Sequence, residues 1–244
     1  KTVELPGEPC AGLAVGFGSL WVPLCTQPPS LARIDSKTGK LKVFGQVGPA
    51  AEEGGIAVSA DSVWMVTDKE GTLARIDPES GELKQTVKLP AGSFNPVHAS
   101  GKIWVTRFEG AEITKVDAAT GAIEGTYKTG PSPRFLAAGE GAVWTLNQGD
   151  GSLTQLTERD PKNVALGTPG KGGDIAVKAG FVWTTMFKTP LSCVDAKTLK
   201  LRAQWTGPGG DSLGVSEDAI WLTDYRGGTV SRLPLAKALE RCRP

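Results

Sequence analysis

Tryptophan recurs along this chain at a near-constant interval. Trp21, Trp64, Trp104, Trp144, Trp183 and Trp221 stand 43, 40, 40, 39 and 38 residues apart. Each follows an aliphatic residue: Leu20, Val63, Ile103, Val143, Val182 or Ile220. A chain that repeats with a period near 40 builds its core by stacking copies of one unit, so the unit decides the fold.

The copy spanning residues 56–90 shows the unit most clearly. It holds four short runs: Ile56 to Val58, Val63 to Val66, Leu73 to Ile76 and Gln85 to Leu89. Each run is rich in β-branched or large apolar residues and is bounded by Asp, Gly, Ser or Pro, which marks strands joined by tight turns. No run carries the i, i+3, i+4, i+7 apolar face of a helix. The other copies repeat the scheme. A small-residue run precedes the tryptophan, as in Leu13-Ala14-Val15 and Ile175-Ala176-Val177, and a strand ending in Asp35, Asp77, Asp117 or Asp195 follows it. Four strands per 40 residues predict an all-β, six-bladed β-propeller of four-stranded antiparallel blades.

The sixth copy stops after its third strand, near Leu233, while Thr2-Val3-Glu4-Leu5-Pro6 matches Thr86-Val87-Lys88-Leu89-Pro90. The sequence therefore predicts that strand 2–6 completes blade 6 and closes the ring, which removes an exposed edge. The blades are expected near 11–48, 55–90, 95–129, 135–168, 174–206 and 212–233, all in one domain of 1–244, with a tail of helical composition over 234–244.

The 32 glycines fall between the runs and suit turns. A net charge of +1 gives no long-range attraction to nucleic acid or an anionic membrane. No apolar run is long enough to cross a bilayer. The chain begins at Lys1 rather than methionine, the form expected of a mature secreted domain. In a hairpin turning at Gly16-Phe17-Gly18-Ser19, Cys10 falls opposite Cys25, within disulfide reach. Cys193 and Cys242 remain. Third strands finish on the face opposite Cys10, so the expected bridges are Cys10–Cys25 and Cys193–Cys242, in a secreted, periplasmic or extracellular protein. The alternative is four buried free thiols.

The Asp-x-x-Ser/Thr-Gly stretches starting at Asp35, Asp77 and Asp117 are turns, with Asp accepting backbone hydrogen bonds and Gly supplying positive φ. His98, the single histidine, is aligned with Ala14, Ala57, Ala137, Ala176 and Gly214. A polar ring where the repeat wants a small residue marks it as the candidate general base or as a channel-lining side chain bound to water. One histidine cannot build a multi-histidine metal site, so no metal ligands and no cofactor are assigned, with a divalent metal left open.

Where a scaffold repeats and its loops diverge, the loops are free to bind. Three and four residues beyond the tryptophans the copies differ, reading Arg107-Phe108, Asn147-Gln148, Met186-Phe187 and Asp224-Tyr225. Arg134 lies on the same expected face. Acids stand apart from these arginines: Glu52, Glu53 and Asp68 on blade 2, and Asp174, Asp211 and Asp224 on blades 5 and 6. The candidate ligand-binding set is Arg107, Phe108, Arg134, Asn147, Met186, Phe187, Asp224 and Tyr225. Separated charges with aromatic surface suit a small polar ligand, a peptide or a protein partner. The alternative is ordinary polar loop surface.

The pattern aliphatic-Ala-Val, then Val-Trp-x-Thr, then Leu-x-Arg-Ile-Asp-x-x-Thr-Gly resembles the YVTN-type and streptogramin B lyase-like secreted β-propellers over nearly the whole chain. The resemblance implies a propeller and, for the lyases, opening of a cyclic depsipeptide lactone by elimination with a histidine base and a divalent metal. Those repeats carry Pro-His-Gly-Ile at the first strand; this chain has Pro96-Val97-His98-Ala99 and no second histidine. The lyases have seven blades where this chain has six tryptophan repeats. Two functions follow. One is a monomeric binding module with its ligand at the loop face of the channel. The other is a metal-assisted lyase or hydrolase using His98, with Glu52 or Glu53 as its candidate partner.

Overall fold

The computed structural model describes residues 2–157, 160–167, 169–170 and 172–243. The bounds drawn from the sequence at Lys1, Thr168 and Pro244 lie outside them. The fold is all-β, a six-bladed β-propeller with one short helix. Among the described residues five sheets have four strands and the sixth has three, and every neighbouring pair is antiparallel and consecutive in sequence. Two compact units divide the chain. The first holds residues up to Phe108 with Ile113–Thr126; the second holds Glu109–Glu112 and everything from Tyr127.

In the first unit Trp21 and Trp64 pack forward onto the next blade. Trp21 meets Ile56, Val63 and Met65 of blade 2, and Trp64 meets Ile103, Val105 and Val116 of blade 3. The indole N–H needs an acceptor in this buried setting. Trp21 donates to the Gly16 carbonyl at 3.1 Å and Trp64 to Ser59 Oγ at 3.0 Å. Opposite Trp21 and Trp64, on the third strand, stands an arginine whose guanidinium lies over the indole, Arg33 at 5.6 Å and Arg75 at 5.5 Å; over Trp104 the cation is Lys115, at 5.4 Å. The same arginines reach across to the following blade's Asp-x-x-Ser/Thr-Gly turn. Arg33 donates to the Pro78 carbonyl and Arg75 to that of Ala119, both at 2.8 Å. Blade packing and turn anchoring are thus one device. It ties tryptophan, arginine and the Asp turn together in blades 1 to 3.

Those turns are built as expected. Asp77 Oδ1 accepts the N–H groups of Glu79 and Ser80, both at 2.9 Å, and Gly81 has φ 78°. A Cβ on Gly81 would come within 1.9 Å of the Phe44 ring of blade 1, so the glycine also sets blade spacing. Blade 5 puts Leu199 at this position with φ 59°, and its side chain is held by the apolar cluster of blades 4 and 5.

In the second unit Trp144 packs on Ile175 and Val182 of blade 5, and Trp183 on Leu213 and Ile220 of blade 6. Trp221 is the last of the series, and no following blade of that unit lies against it. It is 43% exposed, where the other five are at most 5% exposed. Arg232 still covers one face of its ring, at 5.7 Å.

The sixth sheet consists of Leu213–Val215, Ala219–Asp224 and Thr229–Pro234. The segment Thr2 to Pro6, expected to be its fourth strand, is not a strand. In the first unit Leu5 packs against Val22, Leu24 and Ala32 of blade 1. Pro9 bridges to Leu24, and Cys10 N donates to the Pro23 carbonyl at 3.4 Å. The physical reason is local tethering. The Cys10–Cys25 disulfide and these bonds tie the segment to blade 1, while Pro6 and Pro9 lack the N–H groups a longer ladder would use. After Thr229–Pro234 the chain turns into the helix Leu235–Cys242. Leu235, Ala238, Leu239 and Cys242 form its buried i, i+3, i+4, i+7 stripe, which joins Leu191, Cys193 and Trp205.

Both disulfides are present. Cys10–Cys25 has a Cα separation of 5.8 Å and Cys193–Cys242 one of 6.2 Å, and no cysteine is free. Among the described residues no helix is long and apolar enough to cross a membrane.

Candidate functional site

In every blade but the second, where the strand stops at Val66, the residue three beyond the tryptophan ends the second strand, on the opposite side of the pleat from the indole. That side faces inward in blades 4 and 5. Met186 is buried with Leu146 in the core of the second unit. Asn147 is also fully buried. Its Nδ2 donates to Ser152 Oγ and Thr154 Oγ1, both at 2.9 Å, and Thr154 Oγ1 donates to Asn163 Oδ1 at 2.7 Å. This hydroxyl–amide chain cross-links three strands of blade 4. Divergence at these two positions therefore reflects different ways of filling one interior place.

The next residue opens the loop. In the second unit Phe187 is half-buried, and its ring lies where a Cβ on Gly172 would come within 2.6 Å. The Gly172 carbonyl accepts Gln148 Nε2 at 2.8 Å. Over the Phe187 ring, at 5.1 Å, sits the Arg226 guanidinium. Asp224 Oδ1 accepts the N–H groups of Arg226 and Gly227 at 3.1 and 3.0 Å, holding the turn that carries both Arg226 and Tyr225. Tyr225 is 78% exposed. Phe187, Asp224 and Arg226 are thus joined by direct contacts, with Tyr225 on the same short turn. Arg226 escaped the sequence reading, because its role comes from a contact with a loop of the neighbouring blade; its only sequence signal is adjacency to Tyr225.

Arg134, also in the second unit, occupies a β-bulge between Pro133 and Phe135, and its guanidinium lies 5.9 Å from the Phe135 ring. Arg107 and Phe108 belong to the first unit. Arg107 ends its strand beside a second bulge and donates Nε to the Ala91 carbonyl at 3.0 Å. Asp68 accepts the Thr72 N–H at 3.0 Å and serves its own turn.

His98 sits elsewhere than the alignment put it. Register pairs Trp104 with Val97 and Ile103 with His98. In the other blades Ala14, Ala57, Ala137, Ala176 and Gly214 face the tryptophan. Val97 therefore holds the small-residue position, and His98 takes the place of Val15, Val58, Ala138, Val177 and Val215. The cross-strand partner decides the position, and a run of small residues around His98 hid the one-residue offset. Burial lowers the His98 pKa and favours the neutral ring. Among the described residues no three His, Cys, Asp or Glu side chains group to hold a metal ion.

No family model matches the chain, and no curated protein sequence matches it. Its fold is shared with solved structures. The crystal structure of BamB from Moraxella catarrhalis aligns with a TM-score of 0.62 at 11% identity, covering 91% of this chain and 82% of that one. The crystal structure of Myxococcus xanthus glutaminyl cyclase aligns with a TM-score of 0.49 at 15% identity, covering 73% of this chain and 85% of that one. The likeness to BamB is one of fold, which does not transfer an activity. The propeller implied by the streptogramin B lyase-like repeat is present, and the family itself finds no match. Two disulfides suit a protein of an oxidising compartment outside the cytoplasm.

Proposed function

We propose that this β-propeller is an extracytoplasmic binding module that holds a small polar ligand or a peptide on the loops of its second unit, at Phe187, Asp224, Tyr225 and Arg226. The carrying observation is the Arg226 guanidinium stacked on Phe187 beside the largely exposed Tyr225. An aromatic residue left in water contributes little to folding, yet supplies contact area and a hydroxyl handle to a partner. Stacking holds the arginine fork ready for a carboxylate, so less freedom is lost on binding. Asp224 adds the opposite charge on the same turn, which suits a zwitterionic group or a peptide terminus. Asn147 and Met186 support this surface from inside the blades, and Arg107 and Phe108 lie in the other unit.

The test is calorimetric titration with free amino acids and short peptides of both charge signs. Arg226→Ala should weaken binding of a carboxylate ligand by about 1.5–3 kcal/mol, the range for hydrogen bonds to charged groups. Its unfolding midpoint should stay unchanged. Binding that is indifferent to both Arg226→Ala and Tyr225→Ala would remove this surface from consideration.

A second reading, a streptogramin B lyase-like lyase or hydrolase, is favoured by one observation: burial holds His98 as a neutral ring able to accept a proton. His98→Ala separates the two. Loss of a measured lactone-opening turnover with ligand affinity intact would establish the enzyme and set aside a purely binding role.

A further inference from the structure

The first strand of blade 5 opens on Asp174, and the loop leading to the first strand of blade 6 carries Asp211 and Ser212, all in the second unit. Asp174 Oδ1 accepts the Ile175 N–H at 2.8 Å. Its Oδ2 accepts Ser212 Oγ at 2.7 Å and the Leu213 N–H at 3.3 Å. Thr223 Oγ1 accepts the Ser212 N–H at 2.9 Å and approaches Asp211 Oδ2 at 3.5 Å. Gly173 N donates to the Asp211 carbonyl at 3.1 Å, fixing this loop against the start of blade 5.

A second, independent feature points into the same place. Thr185 is the cross-strand partner of Asp174, so both side chains stand on one face of the blade 5 sheet. Trp183 shares that face and packs on Leu213 and Ile220, so the face looks toward blade 6. Thr185 is fully buried, and its Oγ1 has no hydrogen-bond partner. A buried hydroxyl oxygen without a partner is costly, and its persistence calls for a missing donor or cation.

Among the described residues neither Asp174 nor Asp211 forms a salt bridge. Asp174 Oδ1 accepts a single hydrogen bond and retains a lone pair to offer. Every available donor is oxygen, the set chosen by a hard cation rather than by zinc or copper.

We propose that Asp174, Asp211, Thr185 and Thr223 form a calcium-type cation site that clamps blade 5 to blade 6. The site does not rest on the ligand-binding reading, and Tyr225→Ala and Arg226→Ala leave it intact. The experiment is titration of chelator-treated full chain with calcium chloride, followed by calorimetry and by thermal unfolding. One-site binding is expected with Kd on the order of 10⁻⁴ to 10⁻³ M, the range of extracellular calcium modules, with a raised Tm. Asp174→Asn and Thr185→Val should each weaken calcium binding at least tenfold. Thr185→Val keeps the side-chain shape and should fold normally without calcium, and Asp211→Asn serves if Asp174→Asn fails to fold. Absence of one-site binding up to about 10 mM calcium, well above that range, overturns the site. So does calcium binding that survives both Thr185→Val and Asp211→Asn unchanged.

Discussion

Truncating two equivalent tryptophans should have unequal consequences. Trp64 is fully buried within the first unit, against Ile103, Val105 and Val116, with its N–H on Ser59 Oγ and Arg75 over its ring. Trp64→Ala removes the transfer free energy of the indole and leaves a cavity that the rigid blades cannot close, a loss of about 3–5 kcal/mol. It also takes a donor from Ser59 Oγ, adding roughly 1 kcal/mol. Trp221 fills the same repeat position but is 43% exposed. A tryptophan buries about 150–250 Å². A little over half of that at about 25 cal/mol per Å² gives about 2–3.5 kcal/mol, and about 1.5–3 kcal/mol after allowing for a compact unfolded chain. An open site leaves no sealed cavity, so no further loss is added. Denaturant unfolding of the full chain, followed by far-ultraviolet circular dichroism, should therefore rank Trp64→Ala about 2–3 kcal/mol below Trp221→Ala. Equal losses would refute the reasoning, because they would mean that Trp221 is covered in solution as completely as its counterparts.

Two more outcomes follow from the anchoring of blade 5. The Cys193–Cys242 bridge spans 49 residues, and the chain-entropy model assigns such a loop about 4 kcal/mol. The double variant Cys193→Ala/Cys242→Ala should unfold at lower denaturant and no longer respond to reductant through this bridge. Asp195 is held at about 2, chiefly by the Thr198 N–H and then by Arg202. A depressed carboxylate stabilises the fold above its ordinary value near 4, and that contribution is lost as pH falls toward about 2. Asp195→Asn should flatten this part of the acid-unfolding curve; an unchanged curve would show that the turn does not depend on the charge.

The blades were legible because each element of the repeat has a local cause. Strand runs, Asp turns and glycines with positive φ are set by neighbours in sequence, and the interval between tryptophans counts the copies. The first disulfide was legible for a related reason: the hairpin pairs Gly16 with Ser19 and Val15 with Leu20, and although the register has shifted by two where Pro9 faces Leu24, Cys10 and Cys25 stay on adjacent segments with Cα atoms 5.8 Å apart. His98 illustrates the limit. Its alignment with the small residues rested on similarity along the chain, whereas its position is set by the strand across from it, where Trp104 faces Val97.

The candidate sites were legible only as residue types on particular loops. Divergence marked the position three beyond each tryptophan. It could not distinguish Asn147 and Met186, which fill the interior, from Asp224, which holds an exposed turn, since pleat direction and neighbouring blades decide which side is inside. The N-terminal segment makes the same point about the backbone. Thr2 to Pro6 matches a fourth strand in composition, but the tether at Cys10 and the packing of Leu5 hold it on blade 1. The sequence by itself determined the repeating unit, its six copies and their turn chemistry, because these depend on contacts a few residues apart. Only the tertiary structure decided what meets across blades: Arg33 on the Pro78 carbonyl, Arg226 on Phe187, Ser212 on Asp174. Those meetings join residues some 38 to 45 positions apart, and which pairs meet depends on how blades pack rather than on any local preference of the chain.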